Sequence, residues 1–161
     1  MFKEESNNNF IKDVIIDTDF EILFPNSYIS KVNERLILYT KLSKLNNDDE
    51  LIRFEKELKD KYGFLPVESI DLLKSVRLKW KAQKLGFEKI VIKKSKMLCY
   101  FIFDKNNNFF ESAVFKNIMR DIQKFENCEL REKNKLYLVF EKIESIDQAI
   151  QSLNRFEFID Y

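Results

Sequence analysis

The chain has 161 residues, of which 45% are hydrophobic and 34% are charged, a composition typical of a folded globular protein and unlike that of a disordered one. Its 28 basic and 27 acidic residues leave a net charge of +1, which provides no bulk attraction to nucleic acid or to a membrane surface. No apolar run approaches the ~20 residues of a membrane span, and the first residues lack the apolar core of a signal peptide. We therefore expect a cytoplasmic, monomeric protein.

The sequence lacks the residues on which most catalytic sites depend. It contains no histidine, the commonest general base and metal ligand. Its two glycines form neither of the glycine-rich loops that hold phosphates. Cys99 and Cys128 are far apart and form no C-x-x-C pair, so neither a disulfide nor a zinc site is expected. We expect no cofactor and no catalysis, and an enzyme that relies on carboxylates alone is the remaining catalytic alternative.

The first 12 residues are polar and predict a linker or a disordered end, which leaves residues 13–161 as a single domain. Apolar residues alternate along residues 13–24, and this pattern predicts a strand that ends at Pro25.

Three helices are predicted next. The first covers residues 31–45, with Ser30 as its N-cap. The second follows Asn47 as its cap and ends at Tyr62. The third covers residues 67–85 and is apolar on two sides, which is typical of a helix packed between two neighbours.

The pattern changes after Gly86, where β-branched and aromatic residues become frequent. It predicts strands over residues 89–93 and 97–103 joined by a turn at 94–96, a loop at 106–108, an amphipathic helix over 110–125, strands over 129–131 and 136–140, and a last helix over 145–156 capped by Ser145.

The predicted order is β-ααα-ββ-α-ββ-α, which indicates an α+β fold. A strand and three helices occupy residues 13–90, and a ββαββα part occupies residues 91–161. We expect the helical half to pack with a small mixed or antiparallel sheet.

The most specific segment joins the second helix to the third. Gly63 stands where a helix C-terminus needs a left-handed residue, and Pro66 stands where a new helix begins. This segment, residues 57–66, and four others resemble the C-terminal domain of the bacterial transcription-repair coupling factor family, and the resemblance runs from about residue 17 to residue 90. The four others are residues 25–29, 33–42, 72–78 and 82–90.

The resemblance implies a non-catalytic regulatory domain of a large ATP-driven DNA translocase. Such a protein displaces stalled RNA polymerase from DNA and recruits UvrA for repair. In this family the C-terminal domain docks on a UvrB-like N-terminal module and covers its UvrA-binding surface. The residues that match the acidic pair of the docking surface are Glu57 and Asp60. The sequence without the resemblance favours a solvated helix face. Arg53 and Lys61 are each four residues from Glu57, and Lys56 is four residues from Asp60, so ion pairs along the helix are possible.

Two further sets of charged residues are candidates for function. Arg35 falls within the apolar half of the first helix, which predicts a buried ion pair or a clamp on backbone carbonyls, with a partner contact as the alternative. A basic stripe on the third helix could follow a phosphate backbone, although a solvated face is the simpler interpretation. Its residues are Lys74, Arg77, Lys81 and Lys84. A stand-alone nucleic-acid-binding module that uses this stripe is the alternative function.

Overall fold

The computed structural model describes residue 11, residues 13–104 and residues 106–156. It confirms an α+β fold in the predicted order. The strands are β1 (Ile15–Thr18), β2 (Phe87–Lys93), β3 (Lys96–Phe101), β4 (Cys128–Lys133) and β5 (Lys135–Glu141). The α-helices are α1 (Val32–Ser43), α2 (Asp48–Tyr62), α3 (Val67–Leu85), α4 (Ala113–Asp121) and α5 (Ile146–Asn154). Short 3-10 turns cover Asn108–Glu111 and Ile122–Lys124. The prediction of a linker at residues 1–12 falls outside the described residues, apart from Ile11, which is buried.

The five strands form one mixed sheet in the order β1-β2-β3-β5-β4. β1 runs parallel to β2, and the other pairs are antiparallel. The β2–β3 hairpin turns at Lys94 and Ser95, whose φ angles of 53° and 60° are both positive, as a two-residue type I′ turn requires. The turn is therefore shorter than predicted, because Lys96 already belongs to β3.

The chain separates into two compact units. Residues 20–77 form a helical unit, and the residues up to 19 together with those from 78 onward form a sheet unit. The boundary on the C-terminal side falls within α3. The prediction of one domain over residues 13–161 stays a prediction.

The predicted strand over residues 13–24 is wrong in its second half. β1 ends at Thr18, and just after it the Asp19 N–H donates to the Ile92 carbonyl at 3.3 Å. Phe24 belongs to the helical unit, where its ring lies 4.9 Å from that of Tyr39 and its N–H donates to the Tyr39 hydroxyl at 2.7 Å. The alternating apolar residues thus serve two different cores, which a period of two along one segment cannot reveal.

The helical unit buries Phe24 and Ile29 together with apolar residues of its helices, and the Phe24 ring contacts those of Tyr39 on α1 and Phe54 on α2. α2 begins as predicted, since the Asn47 side chain accepts a hydrogen bond from the Glu50 N–H at 2.9 Å. α1 differs from its prediction, because Lys31 and not Ser30 occupies the N-cap, and no side chain caps this end.

The sheet unit has an aromatic core in which Phe87, Phe101, Phe109 and Phe140 are fully buried. Gly86 has a φ of +78°, and a Cβ at this position would overlap the Phe109 ring. A residue without a side chain is therefore required at the end of α3.

The predicted helix over residues 110–125 is also wrong in extent. Ser112 has an extended backbone and its hydroxyl accepts a hydrogen bond from the Phe115 N–H at 3.2 Å, so it is an N-cap that separates a 3-10 turn from α4. At the other end of the predicted helix, residues Ile122–Lys124 form a 3-10 segment and not a turn of α-helix. In contrast, the final helix begins as predicted at Ser145, whose hydroxyl accepts a hydrogen bond from the Gln148 N–H at 3.1 Å.

Candidate docking surface on the second helix

The acidic pair lies on the solvent side of α2. Leu51, Phe54 and Leu58 are at most 2% exposed and turn the opposite side of the helix into the core of the helical unit. Because the helix has 3.6 residues per turn, these contacts leave Glu57 and Asp60 on the outer surface, where both are exposed. The core contacts of α2 therefore set the direction in which the two carboxylates point.

The end of α2 is fixed just beyond the acidic pair. Gly63 has a φ of +86°, and its N–H donates to the Lys59 carbonyl at 2.9 Å. The Gly63 carbonyl accepts a hydrogen bond from the Tyr28 hydroxyl at 2.8 Å. The turn that precedes α3 is thus tied both to α2 and to the segment before α1.

Glu57 has a partner that its own helix does not supply. Its Oε2 lies 2.6 Å from Nζ of Lys41 on α1, and the two side chains are 62% and 52% exposed. The sequence suggested Arg53 or Lys61, each four residues away on α2, as partners. The structure instead connects Glu57 to the neighbouring helix.

A groove of about 180 Å³ adjoins Glu57. Its apolar lining comes from Leu38, Phe54, Leu58 and Tyr62, and its charged lining comes from Lys41, Glu57 and Lys61. The ammonium group of Lys41 lies 5.9 Å from the centre of the Phe54 ring, and that of Lys61 lies 5.1 Å from the centre of the Tyr62 ring. The groove therefore combines aromatic walls with two ammonium groups and one carboxylate, and both ammonium groups lie near its aromatic rings.

Arg35 contacts backbone carbonyls. Its side chain is half-buried, and Nη1 donates to the Ile29 carbonyl at 2.7 Å and to the Ser30 carbonyl at 3.2 Å. These carbonyls lie in the turn that precedes α1, and Ile29 is only 1% exposed. Arg35 thus joins the start of α1 to a buried turn.

The basic stripe is divided between the two units. Lys74 and Arg77 belong to the helical unit, and Nε of Arg77 lies 2.6 Å from Oδ1 of Asp48. Lys81 and Lys84 belong to the sheet unit, where burial and, to a lesser extent, the charge of Lys84 lower the pKa of Lys81. Arg77 of the stripe is therefore already bound to a carboxylate.

The cysteines lack the character of nucleophiles. Burial raises the pKa of the Cys128 thiol to about 12 and that of the Cys99 thiol well above its usual range. Both therefore stay protonated at neutral pH. Within the described part of the chain, no three His, Cys, Asp or Glu side chains are grouped to hold a metal ion. None of the helices that the structure describes is long and apolar enough to cross a membrane.

Residues 18–112 match the TRCF domain family. The chain belongs to this family. The matched range contains the acidic pair, the groove and the turn at Gly63, so the geometry above is that of a TRCF domain.

Curated relatives carry the name transcription-repair-coupling factor. The protein of Buchnera aphidicola subsp. Baizongia pistaciae is 31% identical over 115 residues, which cover 70% of this chain and 15% of that protein. The Escherichia coli K12 protein is 38% identical over 68 residues, which cover 42% of this chain and 6% of that protein. The chain thus spans only a small part of the length of these relatives.

A solved structure described as the C-terminal domain of transcription-repair coupling factor has the same fold. It superposes with a TM-score of 0.72 at 18% sequence identity, and the match covers 89% of both chains. At this identity the likeness concerns the fold alone. It agrees with the α+β architecture and with the resemblance seen in the sequence.

Proposed function

We propose that this TRCF domain is the non-catalytic interaction and autoinhibition domain of a transcription-repair coupling factor. It docks on the UvrB-like N-terminal module and masks the surface to which UvrA binds. Membership of the TRCF family supports the assignment of this domain to a transcription-repair coupling factor. The names of the curated relatives support a role of that parent protein in transcription and repair.

The parent protein in this proposal is a cytoplasmic ATP-driven DNA translocase that displaces stalled RNA polymerase and recruits UvrA. The motor belongs to other parts of that protein, because this sequence contains no phosphate-binding loop. The contribution of the TRCF domain is to control access to UvrA. Its contacts with RNA polymerase and DNA are indirect in this scheme.

One observation supports the docking role best. Glu57 and Asp60 share the outer surface of α2 next to a groove, and neither contributes to the core. Negative charges in this position complement a basic surface, and replacing them by cations places like charges together at a cost of several kcal/mol in binding. The same change leaves the buried side of α2 untouched, so binding and folding can be separated.

The test is the double change Glu57→Lys with Asp60→Lys in a protein that contains both the UvrB-like module and this domain. We expect the domain to be released and UvrA binding to increase, while the denaturation midpoint of the isolated domain stays nearly unchanged. The matched control is Glu126→Lys with Glu144→Lys, which makes the same charge change at two exposed positions of the sheet unit. UvrA binding that remains weak in the folded double variant, or that rises equally in the control, would contradict the proposal.

A further inference from the structure

Three exposed apolar side chains follow the acidic pair in the chain. Phe64 lies in the turn between α2 and α3 and is 92% exposed, the largest exposed fraction of any large apolar side chain in the described residues. Val67 and Ile70 are also exposed, and they share one side of α3 because they lie three residues apart in its first turn. We call Phe64, Val67 and Ile70 the apolar patch.

The backbone that carries Phe64 is fixed on both sides of the residue. The Gly63 carbonyl accepts a hydrogen bond from the Tyr28 hydroxyl at 2.8 Å. On the other side, Leu65 is buried in the helical unit. The turn therefore holds an aromatic side chain in solvent, and a surface that is fixed before docking loses less conformational freedom when it binds.

The apolar patch and the acidic pair fit within one interface. Phe64 follows Asp60 by four residues, so their Cα atoms are at most about 14 Å apart. An interface of ordinary size covers ~800 Å² on each partner, which is a surface about 30 Å across. The core of such an interface is rich in aromatic residues and poor in charged ones, whereas its rim is polar. The acidic pair supplies only rim chemistry, and the adjoining apolar patch supplies what a core requires.

We propose that Phe64 is the apolar anchor of the docking surface and that the apolar patch fits an apolar depression on the UvrB-like module. This inference rests on the proposed function, since it concerns the same docking event. The occupant is another part of the parent protein, because the matches to two relatives cover only 15% and 6% of their lengths. A surface that is exposed in this domain is therefore available to the rest of a much longer chain.

The experiment measures binding of the 161-residue chain to the separately produced UvrB-like module by calorimetry. Phe64→Ser removes the anchor and should weaken binding roughly 10- to 100-fold. Phe64→Leu keeps an apolar side chain and should retain most of the affinity. The matched control is Phe103→Ser, which removes a 60% exposed phenylalanine from the sheet unit and should leave the affinity unchanged.

Salt dependence separates the anchor from the acidic pair. Phe64→Ser should weaken binding by the same factor at low and at high salt, because salt does not screen the burial of apolar surface. Glu57→Gln with Asp60→Asn should weaken binding mainly at low salt. Urea denaturation should give Phe64→Ser nearly the midpoint of the unchanged chain, since the ring is exposed. A clear fall in that midpoint would show that the ring packs within the chain, which would overturn the anchor role.

The outcomes separate this inference from the function on which it rests. If the unchanged chain fails to bind the module, the proposed function is overturned and this inference with it. If the chain binds and Glu57→Lys with Asp60→Lys abolishes binding, yet Phe64→Ser binds like Phe103→Ser, only the anchor role is overturned. A dimer of the chain in sedimentation equilibrium that Phe64→Ser dissociates would also overturn it, because the patch would then be a contact between two copies.

Discussion

Replacing Arg35 by alanine should destabilise the chain through two lost hydrogen bonds to backbone carbonyls. The Ile29 carbonyl accepts the shorter bond, at 2.7 Å, and belongs to a residue that is 1% exposed. A hydrogen bond from a charged donor contributes about 1.5–3 kcal/mol, and an acceptor left without a partner in a buried place costs a similar amount. The Ser30 bond is longer and exposed, at 3.2 Å, so it adds little. We expect Arg35→Ala to lower the free energy of unfolding by about 2 kcal/mol.

Urea denaturation of the purified chain measures this cost. Arg35→Lys keeps the positive charge and loses the planar fork of donors, so its cost should fall between those of the wild type and Arg35→Ala. Arg53→Ala removes an exposed arginine from α2 and should stay within about 0.5 kcal/mol of the wild type. This control removes the same charge without the two carbonyl contacts.

Two results would refute the reasoning. A cost for Arg35→Ala no larger than that of Arg53→Ala would show that the carbonyl contacts contribute nothing to stability. A cost of about 3–5 kcal/mol would instead match a charge left without its buried partner, which would assign a carboxylate to Arg35. A cost of about 2 kcal/mol, between these two results, is the value expected for a half-buried arginine that binds carbonyls.

Two other predictions follow from the glycine at the end of α3 and from the basic stripe. Gly86→Ala should cost about 2–5 kcal/mol, of which ~1–2 comes from the left-handed backbone and ~1–3 from overlap with the Phe109 ring. In a Phe109→Leu background, denaturation should show a smaller cost for Gly86→Ala, and an undiminished cost would show that the ring is not the obstacle. Fluorescence anisotropy should detect no salt-dependent binding of duplex DNA, because Arg77 is paired with Asp48 and the net charge is only +1. Binding that weakens steeply between about 50 and 200 mM salt, and that Lys74→Glu with Lys84→Glu removes, would favour the nucleic-acid alternative.

The boundaries of α2 and α3 could be predicted because local chemistry determines them. Asn47 caps the start of α2, Gly63 ends it, and Pro66 precedes the first residue of α3. Each of these signals acts within one turn of the helix that it limits. The order of strands and helices could be predicted for the same reason, since changes of hydrophobic period are visible within a short window.

The strand predicted over residues 13–24 is wrong in extent because its second half makes contacts that are distant in sequence. Phe24 packs with Tyr39 in the helical unit, so the apolar alternation that began in β1 continues past the end of the strand. Phe109 fills the space at Gly86 in a 3-10 turn that Ser112 separates from α4. For Phe24 the partner of the aromatic ring decides the unit to which the residue belongs, whereas the start of α4 is decided by the cap at Ser112.

In the candidate site, too, local features could be predicted from the sequence and long-range contacts could not. The sequence alone predicts that Glu57 and Asp60 lie on the outer side of α2, because the spacing of Phe54 and Leu58 defines its buried side. Lys41 was missed because it is 16 residues from Glu57 and on another helix. The available signal was the short connection between the first two helices, which makes them neighbours and brings basic residues of one within reach of acidic residues of the other.

The segment over residues 57–66 carries buried core residues and the proposed docking residues on different sides. Leu58 and Leu65 are buried and hold the segment in place, whereas Glu57 and Asp60 are exposed on the opposite side. Gly63 stops α2 one turn after Asp60, so the acidic surface has a fixed end. A substitution on the outer side can therefore change docking while the core stays intact, and a substitution on the inner side changes both. For this reason the charge reversal at Glu57 and Asp60 distinguishes a docking surface from a merely solvated helix face.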